Sequence, residues 1–188
     1  MAGIIRDVGP MRIYRERVSP YGAIVSSFIY QQIAGSAADA ILKKFKALYG
    51  GRMPTPTEFL KTPLVRIRKA GISPQKYSYI RDLCKRIKAG ELDLDGLAQL
   101  PDEEVIAILD DVRGIGRWTA EMFLMFYLKR VDVMPMDDLG LRNAMRTAYH
   151  LRKLPGKRKI SELSLKWGPY KSIAAMYLWR SLDVKTPG

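Results

Sequence analysis

The chain has 188 residues, of which 47% are hydrophobic, so it is long enough for one good core or two small lobes and too apolar for a disordered chain. The single cysteine and single histidine exclude a disulfide framework and a cysteine-ligated iron–sulfur cluster within one chain, and argue against a histidine metal site or a Ser–His triad. The formal net charge of +13 favours a polyanionic partner, DNA or RNA, over a merely solvated basic surface.

No apolar run approaches the roughly 20 residues that a membrane-spanning helix needs. The N-terminal residues MAGIIRDVGPMRIYRER lack the long apolar core and the cleavage site of a signal peptide. We therefore expect an intracellular protein without a membrane partner, located in the cytoplasm or nucleoid if the source is a prokaryote.

Apolar residues recur at helical spacing along nearly the whole chain, which predicts an all-α protein of roughly nine or ten short helices. The pattern over residues 20–48 is interrupted at QQIAGSAADA, where Ser36 is the predicted N-cap of the second helix. A Gly/Pro loop follows, and Thr55 or Thr57 is expected to cap a short helix that ends at Lys61.

The next two helices carry clear start and stop signals. Ser73 is the predicted N-cap of the first, with Pro74 at its first position and Gly90 at its end. The second begins near Asp102 and stops at Gly114. Predicted helices over about 116–128, 138–149, 161–167 and 169–182 complete the chain.

The segment DVRGIGRWTAEMF places two glycines between two helices and predicts a helix–hairpin–helix. Gly114 can adopt the left-handed conformation, and Gly116 leaves bare backbone at the start of the next helix. The amides of Ile115, Gly116 and Arg117 then form a phosphate site at the positive end of that helix. Arg117 adds a charge and Thr119 a hydroxyl group. The alternative is a plain turn between two helices.

Four segments together resemble one known family. DVRGIGRWTAEMFLMF, followed by MPMDDLGLRNA, resembles the helix–hairpin–helix (HhH-GPD) DNA glycosylases, and more narrowly their 3-methyladenine DNA glycosylase II (AlkA-type) branch. FIYQQIAGSAADAILKKFKALYG resembles the helix of that branch that faces the lesion, and RKAGISPQKYSYIRDLCKRI its GxSxxKxxyxxxLA segment. WGPYKSIAAMYLW resembles its closing WxPxRxxAxxxxW helix, so the match runs from about residue 18 to 182.

The resemblance implies a fold and a division of the chain. The expected fold is all-α, with two helical lobes flanking a DNA-binding cleft. Residues 1–188 form one catalytic unit, in which a central lobe spans about 31–131 and includes the hairpin at 102–128. The second lobe is built from both chain ends, about 1–30 and 132–188.

The reaction implied by the family is hydrolysis of the N-glycosidic bond of a damaged base that has been flipped out of the duplex. Departure of the base leaves positive charge on the sugar, which a nearby carboxylate stabilises. Asp138 matches the family's aspartate before a helix and is the predicted catalytic residue, with Asp137 as its neighbour. The alternative is that both aspartates are helix N-caps.

Aromatic residues mark the expected base pocket. Trp118 stands at a position that resembles the one where the related glycosylase-lyases, such as endonuclease III, carry a lysine that attacks the sugar. Because tryptophan has no nucleophilic group, the resemblance implies hydrolysis without lyase activity. Trp179 resembles the second aromatic residue of the pocket, and Met122 stands where the bacterial enzyme has an aromatic residue. Core packing is the alternative for either tryptophan, and Trp167 is interpreted as a core residue.

Two glutamines and the hairpin backbone complete the predicted site. Gln31 is assigned to the base pocket, and Gln32 to the wedge that fills the gap left by the flipped base, where the best-known bacterial members carry leucine. A solvated turn is the alternative for both. The resemblance also implies a monovalent cation, Na+ or K+, on the backbone carbonyls of Asp110, Val112 and Ile115. No other cofactor is expected.

The sequence therefore predicts a monofunctional DNA glycosylase that excises alkylated purines of the 3-methyladenine and 7-methylguanine type in base excision repair. We expect a monomer that binds double-stranded DNA containing a damaged base and passes an abasic site to an endonuclease. Two alternatives stay open. One is a glycosylase for hypoxanthine, ethenoadenine or uracil, and the other is a non-catalytic DNA-binding protein with the same hairpin.

Overall fold

The computed structural model describes residues 1–11, 19–33 and 35–183. Within these residues the chain forms helices and no strand, which confirms the all-α prediction, and no helix there is long and apolar enough to cross a membrane. The helices are α1 (Ala2–Val8), α2 (Pro20–Tyr30), α3 (Gly35–Ala47), α4 (Pro56–Lys61), α5 (Leu64–Lys69), α6 (Pro74–Ala89), α7 (Asp102–Asp110), α8 (Arg117–Met122), α9 (Leu139–Ala148), α10 (Lys157–Ser164) and α11 (Lys171–Ser181).

The chain divides into two compact units. The central unit is Val18–Ala120, and the terminal unit combines Met1–Arg17 with Glu121–Gly188. Both boundaries lie earlier in the chain than the predicted lobe boundaries near residues 31 and 131. The first lies earlier because α2 packs on α3 and α6 of the central unit. The predicted second lobe also includes residues 12–18 and 184–188, which lie outside the described residues.

In the central unit, α6 is the helix against which α2, α4 and α5 pack. Its buried face carries Ile80, Leu83 and Cys84, which recur at helical spacing. The aromatic rings of Phe45 and Phe59 lie 6.2 Å apart in the same core. Burial of such side chains contributes roughly 1.5–3 kcal/mol each to folding, so the core rather than helix propensity stabilises these short helices.

Local capping signals place several helix ends. Thr55 caps α4 in a capping box with Glu58, whose carboxylate accepts from the Thr55 backbone N–H. The Ser73 hydroxyl accepts from the Lys76 backbone N–H at the start of α6, and Gly90 ends that helix with φ 74°. The Ser36 prediction is wrong: α3 begins at Gly35, so Ser36 lies inside its first turn. Adjacent glycine and serine leave a helix start ambiguous by one residue.

In the terminal unit, α1 and α9 pack against α11. The buried Ser172 hydroxyl of α11 donates to the Arg130 carbonyl at 2.7 Å and accepts from the Val133 backbone N–H at 2.9 Å. These bonds hold the segment that precedes α9 against α11. A π-helical turn at Phe123–Tyr127 continues α8, so the predicted helix over about 116–128 corresponds to two different kinds of helical turn.

The lone thiol gives a direct test of this fold. The Cys84 side chain is buried in the central unit and lies 3.3 Å from the Tyr21 hydroxyl oxygen. Burial raises the pKa of the Cys84 thiol to about 11, so the native thiol is both inaccessible and protonated near neutral pH. We expect a disulfide reagent to label Cys84 only as fast as the protein unfolds. Rapid stoichiometric labelling of native protein, compared with labelling in denaturant, would contradict this packing.

Candidate active site and nucleic-acid interface

The hairpin between α7 and α8 closes over a tight turn. Gly114 has φ 89°, in the left-handed region as predicted, and lies after the end of α7 at Asp110. A Cβ atom at Gly114 would lie 2.4 Å from the Tyr79 ring, so a side chain is excluded by both conformation and space. The Ile115 backbone N–H donates to the Val112 carbonyl at 3.0 Å, and both side chains are buried. The turn is therefore fixed from within the central unit.

Gly116 and Arg117 form the exposed start of α8. The Gly116 carbonyl accepts from the Ala120 backbone N–H, and a Cβ atom at Gly116 would meet nothing within 4 Å. The Arg117 guanidinium donates to both carboxylate oxygens of Glu103, at 3.0 and 2.6 Å. This pair joins the two helices of the hairpin, and Arg117 holds the pKa of Glu103 below its ordinary value.

The turn after α2 carries the two glutamines. Gln32 is exposed and has φ 60°, a conformation that costs a residue with a side chain roughly 1–2 kcal/mol. The half-buried Gln31 points its amide at the hairpin: Nε2 donates to the Gly114 carbonyl at 3.0 Å and to Thr119 Oγ1 at 3.3 Å. Thr119 was predicted to contact a DNA phosphate, but its side chain is only 5% exposed.

In the terminal unit, Asp138 is held at the start of α9. Its Oδ1 accepts from the Leu141 backbone N–H at 2.5 Å and from the Trp179 indole Nε1–H at 2.7 Å. Asp138 is thus an N-cap, which was the alternative interpretation. The cap does not exclude a chemical role, because both bonds orient the half-buried carboxylate. Gly140 supplies the space: a Cβ there would lie 3.2 Å from Asp138 Oδ1.

The neighbouring aspartate has different surroundings. Asp137 is exposed, and its carboxylate accepts from Lys157 Nζ at 2.8 Å. An exposed ion pair of this kind contributes little to stability. The two aspartates therefore differ: Asp138 is half-buried and oriented by two hydrogen bonds, and Asp137 is exposed and paired with Lys157.

The indole of Trp179 has an aromatic neighbour that the sequence analysis missed. The Phe126 ring lies 6.2 Å from the Trp179 ring at an interplanar angle of 27°, and the Phe126 side chain is 48% exposed. Sequence periodicity could not find Phe126, because it lies in the uninterrupted apolar run MFLMFY. The π-helical turn at Phe123–Tyr127 shifts the helical register from the one that periodicity assumes.

The remaining predicted residues lie in different environments. Trp118, in α8 of the central unit, is 39% exposed and thus is not fully packed in a core. Met122 is half-buried at the end of that helix. Trp167 is buried and lies 6.4 Å from the Tyr149 ring, as expected for a core residue. Trp118 belongs to the central unit and Trp179 to the terminal unit.

No cluster of histidine, cysteine, aspartate or glutamate suited to a metal ion occurs in the described ranges of the chain. The predicted cation would instead use the backbone carbonyls of Asp110, Val112 and Ile115. The Val112 carbonyl accepts one hydrogen bond, from Ile115 N–H, and a carbonyl oxygen has a second lone pair to offer. Backbone carbonyl oxygens are ligands of the kind that hard cations take, and the monovalent ion at this turn stays a prediction.

Comparison with known proteins points to one family. Residues 25–170 match the model of the HhH-GPD superfamily base excision DNA repair proteins. The chain is 35% identical over 182 residues to DNA-3-methyladenine glycosylase 1 of Schizosaccharomyces pombe, covering 95% of this chain and 80% of that protein.

Solved structures agree with the sequence comparison. A Schizosaccharomyces pombe 3-methyladenine DNA glycosylase in complex with abasic DNA superposes with a TM-score of 0.82 at 32% identity, covering 99% of this chain and 93% of that chain. A DNA-3-methyladenine glycosidase from Bacillus halodurans superposes with a TM-score of 0.82 at 33% identity, covering 97% and 88%. Both similarities extend over nearly the whole chain.

Proposed function

Because the chain belongs to the HhH-GPD superfamily of base excision DNA repair proteins, we propose that it is a monofunctional DNA glycosylase for alkylated purines. The observation that carries this proposal is the Asp138 carboxylate, which the Leu141 N–H and the Trp179 indole N–H orient. The Trp179 ring in turn lies 6.2 Å from the exposed Phe126 ring. The predicted family is confirmed. The names of the similar proteins reported above specify 3-methyladenine as the base on which they act.

The chemistry follows from a carboxylate beside a sugar. The bond between the base nitrogen and the sugar carbon C1′ breaks, and its electron pair departs with the base. The Asp138 carboxylate stabilises the positive charge that develops on the sugar. A water oxygen then bonds to C1′ and its proton passes to the carboxylate and on to solvent. The products are a free base and an abasic site.

Position 118 carries tryptophan and no amine, which is why hydrolysis is the expected reaction. A glycosylase-lyase needs a lysine that attacks the sugar, and Trp118 has no nucleophilic group at that position. Alkylated purines of the 3-methyladenine and 7-methylguanine type carry positive charge, which favours contact with electron-rich aromatic faces. Trp118 in the central unit and the Phe126–Trp179 pair in the terminal unit offer such faces.

Binding to DNA is expected to be strong and largely independent of sequence. The net charge of +13 supplies phosphate contacts that weaken with salt, and the exposed backbone at Gly116 is the proposed phosphate site. We propose that the protein acts as a monomer and that an abasic-site endonuclease processes its product. A Na+ or K+ ion on the hairpin carbonyls would stiffen the turn, and DNA affinity would then fall when a bulky organic cation replaces both ions at equal ionic strength.

The hydrogen bond from the Trp179 indole N–H can be tested separately from the aromatic ring that carries it. Trp179→Phe removes the indole donor on Asp138 and keeps an aromatic ring near Phe126. We expect the single-turnover rate of base release to fall roughly 10- to 100-fold, because a charged acceptor loses one hydrogen bond. Affinity for an abasic duplex should change little. Tyr177→Phe on the same helix is the matched control, and equal loss in both variants would contradict the assigned role.

A panel of duplexes, each with one lesion, tests the choice of substrate. The panel contains 7-methylguanine, hypoxanthine, ethenoadenine, uracil opposite guanine, and undamaged DNA. Fastest release of 7-methylguanine is the expected result. Release of only one of the other bases would replace the proposed substrate. Salt-sensitive binding to every duplex without release of any base would favour the non-catalytic alternative.

A further inference from the structure

We propose that Lys76, Tyr79 and Gln31 are positioning residues that join the glutamine turn and the hairpin into one rigid DNA-contacting surface. The glutamine turn is defined here as residues 31–33. Lys76 and Tyr79 belong to the segment GISPQKYSYIRDL, which the catalytic site does not use. The proposal rests on the proposed function, because it assumes that Gln32 enters the duplex and that the hairpin holds a phosphate.

Lys76 holds the backbone of the glutamine turn. Its Nζ donates to the Ile29 carbonyl and to the Gln31 carbonyl, each at 2.8 Å. Both carbonyls lie where α2 ends and would otherwise lack a helical partner. The two bonds fix the chain immediately before Gln32, the residue with φ 60°. Lys76 is half-buried, and desolvation by this partial burial lowers the pKa of its ammonium group.

Tyr79 lies one turn further along α6 and supports the hairpin. Residues three apart share a helix face, so Lys76 and Tyr79 contact neighbouring parts of the central unit, the glutamine turn and the hairpin. The Tyr79 ring occupies the space that a side chain at Gly114 would need, and it lies 5.7 Å from the Phe28 ring of α2. The Arg113 guanidinium lies 5.9 Å from the centre of the same ring.

Gln31 closes the link between the two loops. Its backbone carbonyl accepts from Lys76, while its side-chain amide donates to the Gly114 carbonyl and to Thr119 Oγ1. One residue thus bonds both to α6 and to the hairpin. This contact assigns Gln31 to positioning rather than to the base pocket, and assigns the buried Thr119 hydroxyl to the same link rather than to a phosphate.

The functional consequence is that phosphate binding by the hairpin and insertion of Gln32 into the duplex are coupled. A residue held at a strained φ presents its side chain in one direction only while its surroundings fix it. With the link intact, a duplex seated on the hairpin meets Gln32 in a fixed position. Without the link, the hairpin still binds phosphate, but part of the binding free energy of Gln32 insertion is lost because the glutamine turn must first become ordered. The link therefore determines how strongly the protein prefers a duplex with an abasic site over an intact duplex.

Binding selectivity measures this coupling without requiring excision. The probes are an intact duplex and the same duplex with a tetrahydrofuran abasic-site analogue. For Lys76→Met we expect the preference for the analogue to fall on the order of tenfold, from the loss of two charge-assisted bonds. Lys85→Met, which removes an exposed charge from the same helix, should lower both affinities equally and leave the preference unchanged. Lys76→Arg, which can donate to both carbonyls, should restore it.

A double-variant cycle adds a readout that simple destabilisation would not produce. Gln31→Ala and Lys76→Met should together reduce the preference by less than the product of their separate effects, since both act through one turn. An unchanged preference in folded Lys76→Met, or independent effects of the two substitutions, would overturn the proposal, as would wild-type protein with no preference. Lack of base release by a wild-type protein that does prefer the analogue would overturn the proposed function alone.

Discussion

Replacement of Asp138 by asparagine is expected to slow base release on the order of 10²- to 10⁴-fold while the fold persists. An asparagine Oδ1 can still accept from the Leu141 N–H and the Trp179 indole, so α9 keeps its cap. What the variant lacks is the negative charge that opposes the cation forming on the sugar. Single-turnover release of 7-methylguanine and thermal unfolding of the same preparation separate the two effects.

Asp137→Asn is the matched control for this experiment. It removes an adjacent carboxylate that is exposed and paired with Lys157, so we expect a rate within a few-fold of wild type. A similar large loss in both variants would mean that general electrostatics, rather than the orientation of Asp138, governs the rate. Full activity of a folded Asp138→Asn protein would remove Asp138 from the mechanism.

Replacement of Gly114 by alanine is expected to lower the free energy of unfolding by roughly 2–5 kcal/mol. The new Cβ would lie 2.4 Å from the Tyr79 ring, and alanine disfavours the observed φ of 89°. Displacement of the hairpin should also weaken DNA binding, since the phosphate site depends on the turn. Urea unfolding and duplex-binding titrations measure the two losses.

Gly116→Ala provides the contrast within the same hairpin. Its Cβ would meet nothing within 4 Å, so the free energy of unfolding should change by no more than about 1 kcal/mol. Duplex affinity should nevertheless fall, because the added methyl group lies where a phosphate approaches the backbone. Equal destabilisation by the two substitutions would contradict the hairpin geometry, and unchanged affinity of Gly116→Ala would move the phosphate site elsewhere.

The features predictable from sequence are those set by neighbouring residues. Thr55, Ser73 and Gly90 mark helix ends because caps act over three or four residues. The short helices α1 and α5, of 7 and 6 residues, were not predicted because they are too brief for a periodic pattern and, unlike the six-residue α4, have no side-chain cap. Phe126 escaped notice for a related reason, since a π-helical turn changes the period itself.

The contacts that build the site could not be predicted, because they join distant parts of the chain. The Gln31 amide meets the Gly114 carbonyl across 83 positions, and the Trp179 indole meets Asp138 across 41. Residue types alone allowed a solvated turn for Gln31 and a simple cap for Asp138. The family resemblance pointed to Asp138 as the predicted catalytic residue, but it did not reveal which donors orient the carboxylate.

The most direct test of the central claim is release of bases from methylated duplex DNA, with the strands analysed before and after alkali. The account predicts free 3-methyladenine and 7-methylguanine, and strand breaks only after alkali, because hydrolysis leaves an intact strand with abasic sites. Strand breaks before alkali would show lyase chemistry that Trp118 cannot supply. Tight, salt-sensitive binding without release of either base would contradict the assignment as an alkylpurine glycosylase.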